Sequence, residues 1–349
     1  MPAKTKSSAS KTRAKKSYAA AGVDVDLGNR VKSGIHDQVK MTHGPEVLGK
    51  IGGFGGLFQP DFRGMKEPVL VSSVDGVGTK LKLAFAMDRH NTVGQDLVNH
   101  CVNDIAVIGA RPLFFLDYIG AERLEPKVFQ QLIKGFAKAC KEAGCALVGG
   151  ETAQMPGMYQ RGEYDLAGTI VGVVDRKKMI DGSKIKVGDA VIGLPSNGLH
   201  TNGYSLARKV LFEDMGLKLT SKLPGVAKTV GDELLRVHRN YQPLLASLPK
   251  VVKGLAHITG GGLVDNLPRV LPADCDAVFE TSAWKIPAIF RAIESGGKVD
   301  REEMYQVFNM GIGMIIVVSA KDAAAIVQQT KGAIIGRIEE GQGKVQLRF

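Results

Sequence analysis

The sequence lacks any apolar run long enough to cross a membrane. The longest nearly unbroken one, residues 314–320, falls far short of the roughly 20 residues that a spanning helix needs. Cysteine is also scarce, with four residues that form no CxxC pair and no spacing typical of a disulfide framework. These absences exclude a membrane-spanning protein and predict one that works in the reducing cytoplasm.

Several common catalytic motifs are missing too. None of the Gly-Lys pairs is followed by Ser or Thr, which excludes a P-loop. The seven histidines form no HExxH motif, and no serine stands in GxSxG. The glycine cluster at 52–56 lacks the GxGxxG spacing of dinucleotide-binding folds. A nucleotide used by this protein must therefore bind outside those folds.

Acidic residues are absent from the N-terminal segment. Residues 1–17 contain six lysines and arginines, so the rest of the chain carries only about +5 of the net charge of +11. Such a segment is typical of a solvated tail, and the alternative is an arm that binds nucleic acid. It also lacks the apolar stretch of a secretory signal. We predict a disordered basic tail over 1–17 and no nucleic-acid partner.

Glycine, in contrast, is abundant. The 43 glycines make up about 12% of the chain, against an average of about 7%. They cluster between periodic segments, which predicts loops that approach a ligand closely. The periodic segments predict strands at 69–74, 146–148, 166–174, 189–194, 313–319, 333–338 and 344–348. Helices are predicted at 92–108, 126–144, 203–212, 231–241, 287–294 and 322–329.

The order of these elements predicts the fold class and the domains. Both halves mix helices and strands without regular alternation, which favours an α+β fold, loosely α/β, over a doubly wound sheet. The polar, glycine-punctuated stretch 175–188 is the best candidate for a domain boundary. We therefore predict one domain over 18–175 and a second over 176–349.

The predicted helix 92–108 carries an unusual polar stripe. At 100° per residue, one side of the helix presents Asp96, Asn99, His100, Asn103 and Asp104. A face that merely met solvent would normally carry Lys, Glu and Arg. Short oxygen-bearing side chains suit a hard cation such as Mg²⁺, but they equally suit structural hydrogen bonds. The residues alone leave both interpretations open.

Three acidic residues, Asp75, Asp104 and Glu151, are predicted at or near the ends of buried elements. Asp75 opens a glycine-rich turn, 75–80, after the strand 69–74, which we expect to be buried. Lys80 in that turn could meet phosphate oxygens. Glu151 follows two glycines after the strand 146–148. Each acid alone suits a plain turn or cap, but together they predict a Mg²⁺–phosphate site.

Two further glycine-containing loops lie in the second half. The loop 196–203 precedes a predicted helix, whose free N–H groups could hold a phosphate, although a plain Asn/Gly loop fits as well. In the segment 257–262, His257 precedes three successive glycines, a costly sequence that packing rarely rewards. His257 is a candidate general acid or base, and the alternative is a structural histidine.

Nine segments occur in an order and spacing that resemble one family. They are 18–29 (YAAAGVDVDLGN), 52–58 (GGFGGLF), 75–83 (DGVGTKLKL), 96–104 (DLVNHCVND), 112–118 (PLFFLDY), 149–159 (GGETAQMPGMY), 200–206 (HTNGYSL), 257–268 (HITGGGLVDNLP) and 308–314 (FNMGIGM). Together they resemble the phosphoribosylformylglycinamidine cyclo-ligases, or AIR synthetases, of de novo purine synthesis. The resemblance runs from about residue 18 to the C-terminus.

The resemblance implies an ATP- and Mg²⁺-dependent ligase. The family converts formylglycinamidine ribonucleotide to aminoimidazole ribonucleotide and releases ADP and phosphate. ATP phosphorylates the formyl oxygen, and a substrate nitrogen then closes the ring. Two mixed α/β domains are implied, with a homodimer whose N-terminal sheets pair into a central barrel and an ATP site near that interface.

The resemblance also implies roles for individual residues. Catalytic roles fall to His257, Lys80 and Asp104. ATP would be bound by Gly53, Gly55, Gly56, Asp75, Gly76, Gly78, Thr79 and Lys80. The substrate or its phosphate would be bound by Ser196, Asn197, Gly198, His200, Asn202, Gly260, Gly261 and Gly262. Mg²⁺ would be held by Asp75, Asp104 and Glu151.

Two positions depart from the family pattern. Gln154 stands where the family usually has Glu, and Thr201 stands where it usually has Ser. The rival assignments are selenophosphate-synthetase-like or thiamine-phosphate-kinase-like enzymes of the same ATP-using superfamily. The segments at 149–159, 200–206 and 257–263 argue against those rivals.

Overall fold

The computed structural model describes residues 17–349 and contains two mixed β-sheets joined by helices and loops. The predicted α+β class is confirmed, since each sheet combines parallel and antiparallel strands with helices packed on it. The tail predicted over 1–17 lies outside the described residues apart from Ser17. Within the described part of the chain, no helix combines the length and apolar character needed to span a bilayer.

The first sheet has four strands in the order β1-β4-β2-β3. Their bounds are β1 Pro68–Gly76, β2 Arg111–Ala121, β3 Ala146–Gln154 and β4 Tyr164–Asp175. Strands β2 and β3 are parallel, and the other pairs are antiparallel. In this order β1 and β3 form opposite edges of the sheet.

The second sheet has six strands in the order β10-β7-β9-β5-β8-β6. Their bounds are β5 Asp189–Pro195, β6 Val252–His257, β7 Cys275–Glu280, β8 Ile312–Ser319, β9 Ala333–Glu340 and β10 Val345–Arg348. Only β7 and β10 pair in parallel among these strands. Strand β8 is buried along nearly its whole length, so this sheet is covered on both faces.

Helices of the first half are α1 Val25–Ser33, α2 His36–Lys40, α3 Leu81–Met87, α4 Asn91–Ala106 and α5 Pro126–Ala143. Those of the second half are α6 Tyr204–Arg208, α7 Val230–Leu234, α8 Gln242–Ala246, α9 Gly262–Asn266, α10 Ala288–Gly297, α11 Arg301–Val307 and α12 Ala323–Thr330. A π-helical segment, Lys209–Asp214, continues α6.

Helix α5 shows how the sequence produces its elements. Pro126 stands in the first turn, where a missing N–H costs nothing, and Gly144 ends the helix with φ +69°. The predicted apolar face, which includes Phe129 and Phe136, is buried. Helices α4 and α5 cross so closely that a Cβ on Gly94 would lie 2.6 Å from the Leu132 carbonyl oxygen. Glycine is therefore required at this crossing.

Strand β1 is less buried than predicted. The predicted strand 69–74 is present, but it is an edge strand and not a buried one. Leu70 is 63% exposed and Val74 68% exposed, because they point away from α4 and α5. Beside them, Val171 of β4 and Leu116 of β2 are only half-buried. Among the described residues, nothing covers the β1 side of this largely apolar face, whereas Phe58 packs against Phe114 of β2 with ring centroids 5.2 Å apart.

The segment 231–241 corrects another expectation. Only Val230–Leu234 is helical, and the chain then runs irregularly to α8. Contacts from α4, described below, occupy the backbone groups that a longer helix would use. Strands β2, β6 and β7 were not predicted from periodicity, because β2 and β7 are buried without regular alternation and β6 is interrupted by Gly254.

Candidate active site

Part of the polar stripe on α4 holds the irregular segment that follows α7. Asp96 Oδ1 accepts the N–H of His238 at 2.6 Å, and Asn99 Nδ2 donates to the carbonyl of the same residue at 2.8 Å. Asn103 Oδ1 accepts the N–H of Tyr241 at 2.8 Å. For these three stripe residues the structural interpretation is correct, and they join the two halves of the chain.

Lys80, predicted to act in catalysis and ATP binding, belongs to the same group of structural contacts. Its Nζ lies 2.7 Å from Asp96 Oδ2, and neither side chain has any exposed surface. The ammonium also donates to the carbonyls of His200 at 2.9 Å and Arg236 at 2.7 Å. Because three acceptors use its three donors, Lys80 has none left for a phosphate oxygen.

The remaining stripe residues, His100 and Asp104, form two carboxylate–imidazole pairs. Nε2 of His100 lies 2.8 Å from Asp75 Oδ2, and Nδ1 of His257 lies 2.8 Å from Asp104 Oδ1. The hydroxyl of Ser73 donates to Asp104 Oδ2 at 3.0 Å. The Asp75 and Asp104 side chains keep 39% and 28% of their surface exposed, whereas both imidazoles are buried. The two carboxylates are therefore the accessible members of each pair.

Electrostatics keeps both carboxylates ionised. Burial alone would raise the pKa of Asp75, but the hydrogen bond and charge of His100 lower it below the ordinary value. Asp104 shows the same balance, with His257 and His100 lowering its pKa against the effect of burial. Burial would lower the pKa of His100, yet Asp75 raises it overall, whereas burial prevails in His257 and lowers its pKa.

A cluster of buried histidines connects the two pairs. Nδ1 of His100 lies 2.8 Å from Thr201 Oγ1, which lies 3.3 Å from Nδ1 of His238. Nε2 of His238 lies 2.9 Å from Nε2 of His257. His200 stacks on His238 with ring centroids 4.0 Å apart. We call these four rings and Thr201 the histidine cluster.

The side chains available as ligands indicate which metal ion this site could hold. Ligand atoms of His100, Asp104 and His257 lie within 4.8 Å of one another, as do those of His200, His238 and His257. The imidazoles already share hydrogen bonds with the cluster or the carboxylates. The ionised oxygens of Asp75 and Asp104 are the ligands that Mg²⁺ prefers, and one or two carboxylates suffice for it. These two residues fit the predicted ion.

Glu151, predicted as the third Mg²⁺ ligand, does not lie beside Asp75 and Asp104 within one chain. One row across the sheet consists of Asp75, Gly168, Asp117 and Gly150. Glu151 follows Gly150 inside β3, beyond the predicted strand end, so it points to the opposite face. Three strand spacings of about 4.8 Å put β3 roughly 14 Å from β1. Glu151 is exposed there, away from Asp75 and Asp104.

The glycine-rich loop lies at the same distant edge. Gly53 and Gly55 are exposed, and a Cβ on Gly56 would lie 2.8 Å from Val148 Cγ2 of β3. The loop therefore rests on β3, across the sheet from the carboxylates.

The turn after β1, in contrast, lies beside the second half of the chain. Asp75 Oδ1 accepts the N–H of Gly76 at 2.6 Å, and Gly78 has φ +66°, which favours glycine. Thr79 Oγ1 lies 3.0 Å from Ser205 Oγ in α6. This contact places the turn next to the loop 196–203.

The predicted substrate loops meet each other. A Cβ on Gly260 would lie 3.3 Å from Asn202 Oδ1. Among the described residues, Asn202 Nδ2 and Asn197 Oδ1 are buried without a hydrogen-bond partner. Ser196 Oγ donates to Asn309 Oδ1 at 2.9 Å. The loops thus present unused amide groups that a polar ligand could satisfy.

The three successive glycines, 260–262, differ in their backbone conformation and contacts. Gly261 has φ +95°, and a Cβ on Gly262 would clash with the Tyr305 carbonyl. Asn266 Nδ2 donates to the carbonyls of Gly260 at 3.2 Å and Gly262 at 2.8 Å, which fixes the turn. Packing therefore does require glycine at position 262, contrary to the sequence argument.

A basic cavity of about 520 Å³ lies beside the loop 196–203. Its lining contains four cations, Lys228, Arg236, Lys285 and Arg291, and one acid, Glu233. Glu233 pairs with Arg236 at 3.0 Å. A Cβ on Gly198 would lie 3.7 Å from Arg236 Cδ, so this loop borders the cavity.

Two predicted site residues, His200 and His257, are buried in the histidine cluster. His200 is 1% exposed and adopts φ +63°, which turns its ring into the histidine cluster. Both ring nitrogens of His257 are used, by Asp104 and by His238. His257 therefore supports Asp104 and has no ring nitrogen free in this arrangement. His238 and Ser73 were missed because no motif or helical spacing marks them.

Comparison with known proteins gives two family matches. Residues 62–174 match the model for the AIR synthase related protein, N-terminal domain, and residues 186–348 match the model for its C-terminal domain. Together the two models cover more than half of the chain.

Curated relatives match nearly the whole chain. A phosphoribosylformylglycinamidine cyclo-ligase of Citrifermentans bemidjiense is 55% identical over 317 residues, 90% of this chain and 91% of that protein. The protein of the same name from Syntrophotalea carbinolica is 53% identical over 344 residues, 95% of this chain and 98% of its own.

Solved structures share the fold at lower identity. A thiamine-monophosphate kinase from Stenotrophomonas maltophilia K279a superposes with a TM-score of 0.67, 20% identity, and coverage of 90% of this chain and 95% of that one. The hydrogenase maturation protein HypE, solved in complex with ATP, gives 0.65 and 18%, with coverage of 92% and 90%. These likenesses show the fold alone.

Proposed function

Since this chain belongs to the phosphoribosylformylglycinamidine cyclo-ligase family, we infer that it is the ATP-dependent ligase that forms aminoimidazole ribonucleotide in purine biosynthesis. The observation that carries this inference is more than 50% identity over nine tenths or more of the chain to relatives of that one name. The rival kinase-like assignment is not favoured, because the kinase structure shares only 20% identity.

The reaction joins two steps. The terminal phosphoryl group of ATP passes to the formyl oxygen of the substrate, and ADP leaves. A substrate nitrogen then attacks the activated carbon, the C–O bond breaks, and phosphate and one proton leave. An amide oxygen becomes a leaving group only when it is phosphorylated, so the hydrolysis of ATP supplies the driving force for ring closure.

Asp75 and Asp104 would hold the Mg²⁺ of the nucleotide. Both carboxylates are ionised, partly exposed and oriented by a buried imidazole. A bound Mg²⁺ would neutralise phosphate charge during phosphoryl transfer. Asp104 also keeps the hydrogen bond from Ser73, which fixes its second oxygen.

The substrate phosphate would occupy the basic cavity. Three of its cations, Lys228, Lys285 and Arg291, surround a volume of about 520 Å³ beside the unused amide groups of the loop 196–203. Those amides and the adjoining Gly260 turn would bind the polar remainder of the substrate. The cavity adjoins this loop region, and so does the turn that follows Asp75, through the Thr79–Ser205 contact.

A homodimer would complete the ATP site. The uncovered β1 side of the apolar face of the first sheet, with Leu70 and Val74 exposed, supports pairing of two copies through this sheet. The glycine-rich loop lies at one edge of that sheet and Asp75 at the other. Pairing of two sheets would let the loop of one protomer approach the carboxylates of its partner.

The location and remaining partners follow from the same proposal. All four cysteines are buried and free, which supports a cytoplasmic enzyme. The partners would be the small-molecule substrate, ATP with Mg²⁺, and a second copy of the chain, without nucleic acid.

The test is ADP release by the purified protein with Mg²⁺-ATP, with and without formylglycinamidine ribonucleotide. We expect substrate-dependent ADP matched one-to-one by aminoimidazole ribonucleotide. ADP release with a different acceptor only would refute the substrate, and absence of turnover with every acceptor would refute the mechanism.

A further inference from the structure

His238 occupies the centre of the histidine cluster and has no exposed surface. Its Nδ1 contacts Thr201 Oγ1 at 3.3 Å, and its Nε2 contacts Nε2 of His257 at 2.9 Å. Since the ring is enclosed by protein, it cannot touch a substrate. Any effect on catalysis must pass through a neighbouring residue.

The hydrogen bond between His257 and Asp104 determines which ring donates in the contact between Nε2 of His238 and Nε2 of His257. An ionised carboxylate only accepts, so Nδ1 of His257 must carry the proton shared with Asp104. With its proton on Nδ1, a neutral His257 ring can only accept at Nε2, which lies 2.9 Å from Nε2 of His238. Nε2 of His238 must then be the donor.

The hydrogen bonds on the Thr201 side of His238 are consistent with His238 Nε2 as the donor. Burial holds the pKa of His238 well below its ordinary value, so the ring is neutral and its Nδ1 accepts from the Thr201 hydroxyl. The Thr201 oxygen can then accept the Nδ1–H of His100, whose Nε2–H donates to Asp75. These contacts are all satisfied when His100 is an imidazolium with protons on both nitrogens and when His238 and His257 are neutral rings with one proton each.

The backbone of His238 is fixed independently of its ring. Its N–H donates to Asp96 at 2.6 Å, and its carbonyl accepts from Asn99 at 2.8 Å. Both partners lie on α4, which also carries Asp104. The ring is therefore held at a constant position relative to that carboxylate.

We propose that His238 is a positioning residue, which donates its Nε2–H to His257 and so orients that ring to hold the Asp104 carboxylate. The inference rests on the proposed function, in which Asp104 holds Mg²⁺. Replacing a residue that supports a metal-binding carboxylate commonly costs about 10- to 100-fold in metal affinity or activity. His238 acts one contact further out, through His257.

A matched pair of variants tests this role. His238→Gln keeps an N–H near the position of ring Nε2, whereas His238→Asn offers an amide only near the position of Nδ1. We expect the Gln variant to keep most of the turnover and the Asn variant to lose about 10-fold or more in kcat. Because Asn also leaves a larger void than Gln at this buried position, kcat is compared with thermal unfolding for both variants, and only a loss of kcat beyond the loss of stability supports the contact.

His90→Gln is the control for replacing a buried histidine. His90 is 3% exposed and bonds Tyr164 Oη at 2.8 Å, remote from the cluster. We expect this variant to change thermal stability while kcat remains at the wild-type value. Thermal unfolding of all three variants identifies any loss of activity that comes from loss of folding.

Nitrogen NMR of the wild-type protein with ¹⁵N-labelled histidine provides the second readout. We expect His257 Nε2 to lack a proton and to show scalar coupling to His238 Nε2 through the shared hydrogen. A proton on His257 Nε2, or equal activity of the Gln and Asn variants, would overturn the proposal. The NMR result does not depend on turnover, so it separates a failure of this proposal from a failure of the proposed reaction.

Discussion

Lys80 and Asp96 form an ion pair of 2.7 Å in which neither side chain has any exposed surface. The pair links the turn after β1 to α4, and the same two residues contact the backbone of the second half of the chain at His200, Arg236 and His238. Lys80, which the sequence motifs associate with phosphate binding, thus links the two halves of the chain through its contacts.

Breaking this pair should destabilise the protein. Lys80→Met leaves the Asp96 charge buried without a partner, and such a loss commonly costs about 3–5 kcal/mol. The double variant Lys80→Met/Asp96→Asn should lose less than the sum of the single variants, because no charge remains and the Asn oxygen can still accept from His238. Urea unfolding of the single and double variants measures this coupling, and additive losses would contradict it.

The carboxylates should differ in their effect on Mg²⁺. We expect Asp104→Asn to raise the Mg²⁺ concentration required for half-maximal turnover about 10-fold or more. Glu151→Gln should leave the requirement unchanged, because Glu151 lies on the opposite face and edge of the sheet. Titration of activity against Mg²⁺ compares the two, and a shift with Glu151→Gln would place that residue in a partner's site.

Two impaired variants, assayed at a Mg²⁺ concentration too low for Asp104→Asn, should recover activity when they form mixed dimers. Gly55→Asp adds a negative charge to the glycine-rich loop without a clash, because no atom lies within 4 Å of a Cβ there. Asp104→Asn impairs the carboxylate site. If the loop and the carboxylates of one site come from different protomers, a mixed dimer contains one site with neither change. Unfolding and refolding the two together should recover activity, and no recovery would indicate sites within single protomers.

Asp117 should make stability fall as pH rises. Burial raises the pKa of this half-buried carboxyl to about 7, and Glu151 adds to the effect. The unfolded chain has an ordinary value of about 3.9, so the stabilisation from this proton is complete below about pH 4 and is lost as pH rises toward 7. Asp117→Asn should match the wild type in thermal unfolding at pH 4 and exceed it at pH 8. An equal difference at both values would contradict this.

Removal of residues 1–17 should leave turnover unchanged. The basic segment lies before the first family match, which begins at residue 62, and it contains none of the candidate site residues. Steady-state kinetics of the truncated protein checks this, with thermal unfolding as the control. A large fall in turnover would assign the tail a role in the enzyme.

Local features of the sequence determined much of the secondary structure. Pro126 and Gly144 bound α5 as predicted, because a proline at a helix start and a glycine at its end act through their own backbone geometry. The α+β class followed from the mixture of elements along the chain. The family also followed from the sequence, since nine ordered segments carry identity without any knowledge of their contacts.

Only the tertiary structure decided what the polar residues do. Helical periodicity placed Asp96, His100 and Asp104 on one face of α4, but it could not show what covers that face. The segment after α7 covers Asp96, whereas the turn after β1 and the end of β6 reach His100 and Asp104. The polar stripe of α4 therefore contains both a residue that holds the fold together, Asp96, and residues of the candidate site, His100 and Asp104.

Strand order was likewise beyond the sequence. Asp75 lies in β1 and Glu151 lies in β3 of the same sheet, yet β4 and β2 lie between those two strands. Which strands pair depends on contacts between distant parts of the chain, and periodicity within a strand carries no information about its neighbours. The same reason explains why His238 was missed, since its significance lies entirely in the distant residues that its two ring nitrogens meet.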